Sequence, residues 1–144
     1  MLSDLKPGMI FVPSSIQLSE AKRQLSNKPE HNQFGKAVEL AIIEFLKNAG
    51  VALIVPTEEY ATHDFHIEGV WYDVKCASQK AFTHTFSNRE KIDWDRRKSF
   101  DEETIILSMK RIDEHSAMYL GEVNFNSIYS MPGKFDSTWW FKHG

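Results

Sequence analysis

The chain has 144 residues, 42% of them hydrophobic and 26% charged, with a formal net charge of −3 at pH 7. That length suits one domain with a substantial core, and the mild acidity argues against a protein that coats nucleic acid through bulk charge. No apolar run approaches the roughly 20 residues of a membrane span, the N-terminus lacks a signal-peptide core, and the lone Cys76 excludes an internal disulfide, so a cytoplasmic protein is expected.

The opening Leu5-Lys6-Pro7-Gly8-Met9-Ile10-Phe11-Val12-Pro13 reads as a turn and a short extended segment. Ser14 and Gln17 have capping-box spacing and predict a helix over about 15–26, with Ile16, Leu18 and Leu25 as a thin apolar stripe. Lys28-Pro29 should end it. A stronger helix is predicted over about 32–48, where Phe34, Val38, Ala41, Ile42, Phe45 and Ala49 recur at helical intervals and Gly50 supplies the stop. Glu39 falls at the border of that apolar arc. Val51-Ala52-Leu53-Ile54-Val55, closed by Pro56, reads as a strand buried on both faces.

The next stretch, Thr62 to Cys76, alternates in character around Glu68-Gly69, the signal of a two-residue hairpin turn. That turn pairs Ile67 with Val70, His66 with Trp71, Phe65 with Tyr72 and Asp64 with Asp73. Alternation then puts Asp64, His66, Trp71, Asp73 and Lys75 on one face and Phe65, Ile67, Tyr72, Val74 and Cys76 on the other. Cys76 is accordingly expected as a packed thiol.

Beyond the hairpin, Phe82-Thr83-His84-Thr85-Phe86 alternates. Ser87 and Glu90 have capping-box spacing and predict a helix over about 88–99. Residues 104–110 and 117–123 read as further strands, and the tail from Met131 to Phe141 is aromatic without a clear period. Helices and strands in this order predict a mixed α/β or α+β sheet with helices packed on it.

Two aspartates facing each other across a hairpin repel, and a divalent cation is the simplest compensation. Asp64 and Asp73 could each give an oxygen to Mg²⁺, a hard ion that prefers oxygen ligands. The ion would polarise a phosphoryl oxygen, and Lys75 would orient the attacking water or stabilise charge developing on the phosphate. Asp73-Val74-Lys75 is a weak triplet alone, since Asp4-Leu5-Lys6 and Glu20-Ala21-Lys22 have the same form. Only the third copy lies in a predicted strand facing a second carboxylate.

Glu39 on a helix, then Asp64, then Asp73-Val74-Lys75 at the end of a hairpin, resembles the PD-(D/E)xK nuclease superfamily, most closely its archaeal-type Holliday-junction resolvases. The resemblance spans residues from about 32 to 125 but rests on a few positions. It implies a restriction-endonuclease-like core, a central mixed sheet flanked by helices, in one nuclease domain over 1–144. Residues 1–31 would be an N-terminal extension and 126–144 an aromatic tail. It implies Asp64 and Asp73 as metal ligands, the Val74 carbonyl as a third, Lys75 as the catalytic lysine and Glu39 as an accessory carboxylate. Gln79 stands where some members contact DNA. His63 replaces the proline of the family name, and Asp73 replaces the commoner glutamate, one methylene longer.

The activity so implied is Mg²⁺-dependent endonucleolytic cleavage of DNA, with Mn²⁺ as a substitute, selective for branched structures and carried out by a homodimer. Its alternatives are a restriction-type or replication and repair nuclease of the same superfamily, or a non-catalytic DNA-binding module that keeps the fold. Lys80, Arg89, Arg96, Arg97 and Lys98, interleaved with Phe82, Phe86 and Trp94, suit phosphate-backbone contact. His63 and His66 are three apart on a strand and point to opposite faces, so they are not expected to share a zinc. No glycine-rich phosphate loop suggests a nucleotide cofactor, and no membrane partner is expected.

Overall fold

A computed structural model describes residues 2–57, 64–77, 83–84, 104–124 and 135–136. The chain opens with a short strand, β1 (Ile10–Phe11), and helix α1 (Ser15–Gln24). Ser14 Oγ accepts from the Gln17 amide at 3.1 Å, and Gln17 Oε1 accepts from the Ser14 amide at 2.9 Å, so the predicted capping box forms. The expected apolar stripe is only partly used. Ala21 is buried, while Ile16 is 79% exposed and Leu18 41%. Leu18, Ala21 and Leu25 follow helical spacing, whereas Ile16 sits two residues from Leu18 and so points away.

Helix α2 (Glu30–Asn48) begins two residues before its predicted start. Pro29 is its N-cap residue at φ −59°, so the ring that was expected to stop the first helix instead presets the second. Phe34, Ala37, Val38, Ala41, Ile42 and Leu46 form the buried stripe. Gly50, at φ +86°, ends the helix, with the Gly50 amide donating to Lys47 O and the Val51 amide to Leu46 O, both at 3.0 Å. This is a Schellman cap, which needs the left-handed residue that glycine supplies.

The main sheet comprises β1, β2 (Phe65–Ile67), β3 (Val70–Ala77), β5 (Thr104–Arg111) and β6 (Ala117–Asn124), in the spatial order β1-β6-β5-β3-β2. β2 and β3 form an antiparallel hairpin, β3 and β5 run parallel, and β5 and β6 are antiparallel. Being parallel, β3 and β5 cannot be joined by a hairpin turn. A second, two-stranded sheet pairs β4 (Thr83–His84) with β7 (Phe135–Asp136). The mixed α+β sheet with helices packed against it is the expected fold class.

α2 covers the face formed by Phe65, Tyr72, Leu107, Met109 and Tyr119, meeting it with Phe34, Val38, Ile42 and Leu46. Phe65 and Tyr72 stack at 5.3 Å between ring centroids, and Leu2, Leu5 and Phe11 join the same core. Arg111 at the end of β5 ties this layer to the start of α2. Its guanidinium forks onto Glu30 at 2.7 and 2.9 Å, lies 3.8 Å over the Phe34 ring, and donates to the carbonyls of Asp113 and Glu114.

Val51–Val55 is not the doubly buried strand expected. It contributes one antiparallel bridge, Ile54 with His66, and leaves Ile54 58% and Val55 41% exposed. The reason lies in its neighbour: β2 has three residues, so an edge partner finds almost no ladder to extend. The helix predicted over about 88–99 and the aromatic cluster Trp139-Trp140-Phe141 lie outside the described residues. Among the described residues no helix is long and apolar enough to cross a membrane.

Candidate metal centre

The hairpin forms in the predicted register. Ile67 pairs with Val70, His66 with Trp71 and Phe65 with Tyr72. Glu68 at φ 49° and Gly69 at φ 83° supply two successive left-handed residues, the geometry of a type I′ turn that matches the twist of its strands. Phe65, Tyr72, Val74 and Cys76 turn toward α2 as expected.

The ladder stops one residue short of the aspartates. Asp64 does not sit squarely opposite Asp73. Its amide donates to Tyr72 O at 3.0 Å, the residue that Phe65 already faces, as at a β-bulge. Its Oδ2 accepts from the Val74 amide at 2.7 Å. This corrects the expected one-to-one pairing of Asp64 with Asp73. β2 pairs with β3 only as far as Tyr72, so the Val74 amide points at a strand edge that β2 does not reach. The Asp64 carboxylate takes the place of the missing strand. By the two-residue period of a strand, the Val74 carbonyl projects toward the same edge.

Glu39 reaches this edge from the middle of α2. It is 7% exposed, and its carboxyl is hydrogen-bonded to that of Asp64. Burial first, and Asp64 second, push it up to about 9, so at neutral pH Glu39 holds its proton. Lys36, one turn earlier on α2, donates to Glu39 Oε2. An ion pair there would by itself favour ionised Glu39. Burial and Asp64 prevail, because the Lys36 side chain is 28% exposed and water weakens its pull, whereas Glu39 is enclosed. The result is a continuous path from Lys36 through Glu39 and Asp64 to the backbone of β3.

On either side of Val74 stand Asp73 and Lys75. Asp73 is 5% exposed and lies beside Ile106 of β5, while Lys75 is half-buried beside Ser108. Both make interactions of their own. Their side chains leave β3 on the face opposite Val74, so the structure joins Glu39 to Asp64 and seats that pair on the backbone between Asp73 and Lys75. Among the described residues no group of three or more His, Cys, Asp or Glu converges into a metal-binding cluster.

His66 shares the Asp73 face, with its ring edge-on to Trp71 at 4.4 Å and a buried Nδ1 that has no hydrogen-bond partner among the described residues. Cys76 packs toward α2, and burial pushes its thiol up to about 11, as suits an inert core sulfur. His63, Gln79, Lys80, Arg89, Arg96, Arg97 and Lys98 lie outside the described residues. Sequence reasoning missed Lys36. Its three-residue spacing from Glu39 was the available signal, since such pairs are neighbours on a helix.

No family model matches the chain, and no curated protein matches it. Among solved structures it is similar to the Holliday junction resolvase Hjc of Archaeoglobus fulgidus, at 12% sequence identity and a TM-score of 0.47. The match covers 72% of this chain and 89% of that one. At that identity and score the likeness assigns no function to this chain.

Proposed function

We propose that the chain is a divalent-cation-dependent DNA endonuclease that hydrolyses phosphodiester bonds, with resolvase-like selectivity for branched DNA as its narrower activity. The observation that carries this reading is the Glu39–Asp64 carboxyl pair, its glutamate enclosed and its aspartate fixed to the Val74 amide between Asp73 and Lys75. A buried carboxyl held at the cost of its own ionisation beside a second carboxylate is most simply explained as a cation site.

The donor chemistry fits Mg²⁺ or Mn²⁺. Every group is a hard oxygen, and no thiolate or imidazole from the described residues joins the pair. Glu39, Asp64, Asp73 and the Val74 carbonyl would hold the ion. When bound, it supplies the positive charge that lets the carboxyls ionise together and that polarises a phosphoryl oxygen.

The protein's own part follows from the geometry. The Val74 amide fixes Asp64 in orientation, and the rigid β3–β5 ladder fixes Asp73 and Lys75 one strand position apart on one face. Lys75 then stabilises charge developing on the phosphate or orients the attacking water. Gln79, Lys80, Arg89, Arg96, Arg97 and Lys98 contact the nucleic-acid backbone in this reading, and two copies of the chain act on a branched substrate. The order of helix, hairpin and parallel strand supports the restriction-endonuclease-like core.

One observation favours a second reading, a DNA-binding module without catalysis: the described residues form no group of three or more His, Cys, Asp or Glu that could hold a metal ion. Cleavage separates the two. Plasmid, four-way junction, linear duplex and single-stranded DNA should be incubated with Mg²⁺ or Mn²⁺ and the wild type, Asp73→Ala or Lys75→Ala. The proposal expects the wild type to cut, the junction fastest, and each variant to lose at least about a hundredfold, the scale of removing one electrostatic group from such a site. DNA binding without cleavage, or equal cleavage by the variants, contradicts it.

A further inference from the structure

The path from Lys36 to β3 has an enclosed middle and partly open ends. Glu39 is enclosed, Asp64 and Val74 are partly exposed at the sheet edge, and the Lys36 side chain is 28% exposed. Its ammonium is the cation that the carboxyl pair already has. Glu39 Oε2, the atom it touches, is also an atom a divalent ion at this site would take. An ammonium and a divalent cation on one carboxylate repel each other strongly in an enclosed site, so the two occupants exclude one another.

Among the described residues the displaced ammonium has little else to hold. Glu20 on α1 lies within its electrostatic reach, but the Glu20 carboxylate is already bonded to Arg23 and Gln24. Lysine carries its charge on a flexible four-carbon stem and can therefore leave Glu39 without any movement of α2. Once free, it stands at the mouth of the site as a single positive charge suited to a phosphate oxygen.

We infer that Lys36 is the resident counter-ion of the Glu39–Asp64 carboxyl pair, displaced when a divalent cation binds and thereby freed to contact a phosphate of the nucleic acid. The inference deepens the nuclease reading and rests on it. It makes Lys36 a positioning residue that couples cation binding to DNA binding.

Calorimetric titration with MgCl₂ or MnCl₂ tests the first half. Lys36→Met removes the competing charge and should bind the cation roughly tenfold more tightly than the wild type, the scale of one partly exposed charged hydrogen bond. Lys36→Arg keeps the charge and should match the wild type. Asp64→Asn should abolish the signal, which assigns the heat to this site. Tighter binding by Lys36→Met alone supports the inference. Equal or weaker binding by Lys36→Met, with Asp64→Asn still silent, overturns it and leaves the nuclease reading standing. No cation binding by either the wild type or Lys36→Met overturns both.

The second half is read from DNA affinity across a salt series, in a Lys75→Met background that keeps the DNA intact. With Mg²⁺ present, adding Lys36→Met should lower the slope of log affinity against log salt by about one, the signature of one lost phosphate contact. Without Mg²⁺ it should leave the slope unchanged. An equal change in both conditions overturns the coupling.

Discussion

Replacing Glu39 by glutamine tests whether the carboxyl pair is held against its own ionisation. The amide has the shape of the protonated acid. Its NH₂ can still donate to Asp64, and its oxygen can still accept from Lys36. What disappears is the charge. The Glu39 carboxyl is raised to about 9, against 4.5 for a free glutamate, chiefly by burial and then by Asp64.

A carboxyl raised on folding binds more protons in the native state than in the unfolded chain. Its stabilising contribution is therefore complete below the unfolded value and is lost as pH rises toward the folded one. Each unit of pH across that window costs about 1.4 kcal/mol, so the wild type should lose about 3 kcal/mol by pH 7. Glu39→Gln removes the loss. Urea or thermal unfolding in EDTA, from about pH 5 to 8.5, should show similar stabilities at the acid end. At pH 7 the variant should melt about 10 °C higher, given the usual conversion for a chain of this size. Parallel pH profiles for the two proteins would refute the reasoning, because they would mean that Glu39 is not the group whose ionisation is suppressed.

Other substitutions separate structure from chemistry. Asp64→Asn keeps an oxygen for the Val74 amide and should stay within about 1 kcal/mol of the wild type by denaturant titration, while losing cation binding. Asp64→Ala strands that amide and should cost about 1–3 kcal/mol more than Asp64→Asn. Arg111→Ala, far from the carboxyls, should destabilise by about 2 kcal/mol through loss of its fork onto Glu30 and its place over Phe34, with cleavage per folded molecule unchanged. Lysine at that position should recover less than half, since it lacks the planar fork. Gly69→Val places a β-branched residue at φ 83° and should cost about 1–3 kcal/mol in the same assay.

The hairpin was legible because its rules are local. Glu68-Gly69 determines the turn, the turn determines the register, and alternation then sends Phe65 and Tyr72 inward. The same rule failed at Asp64, where it assumed that the ladder continues. A strand end exposes an unsatisfied amide, here Val74, and the carboxylate that answers it leaves the alternation. Residues 51–55 were misread for a related reason. An apolar run shows the taste for a sheet but not the length of the strand it will meet, and β2 offers three residues. Periodicity placed Glu39 at the border of the α2 stripe. That Asp64 closes over it is a tertiary fact, and with it came the role of Lys36, which no spacing rule distinguishes from an ordinary helical ion pair.

The most direct test of the account is a crystal soaked in Mn²⁺ and measured for anomalous scattering. A divalent-cation site predicts a peak within about 2.2 Å of carboxylate oxygens from Asp64 and Asp73, with Glu39 alongside and the Lys36 ammonium moved away from it. A crystal that takes up Mn²⁺ only elsewhere, leaving Glu39 bonded to both Asp64 and Lys36, would contradict the central claim.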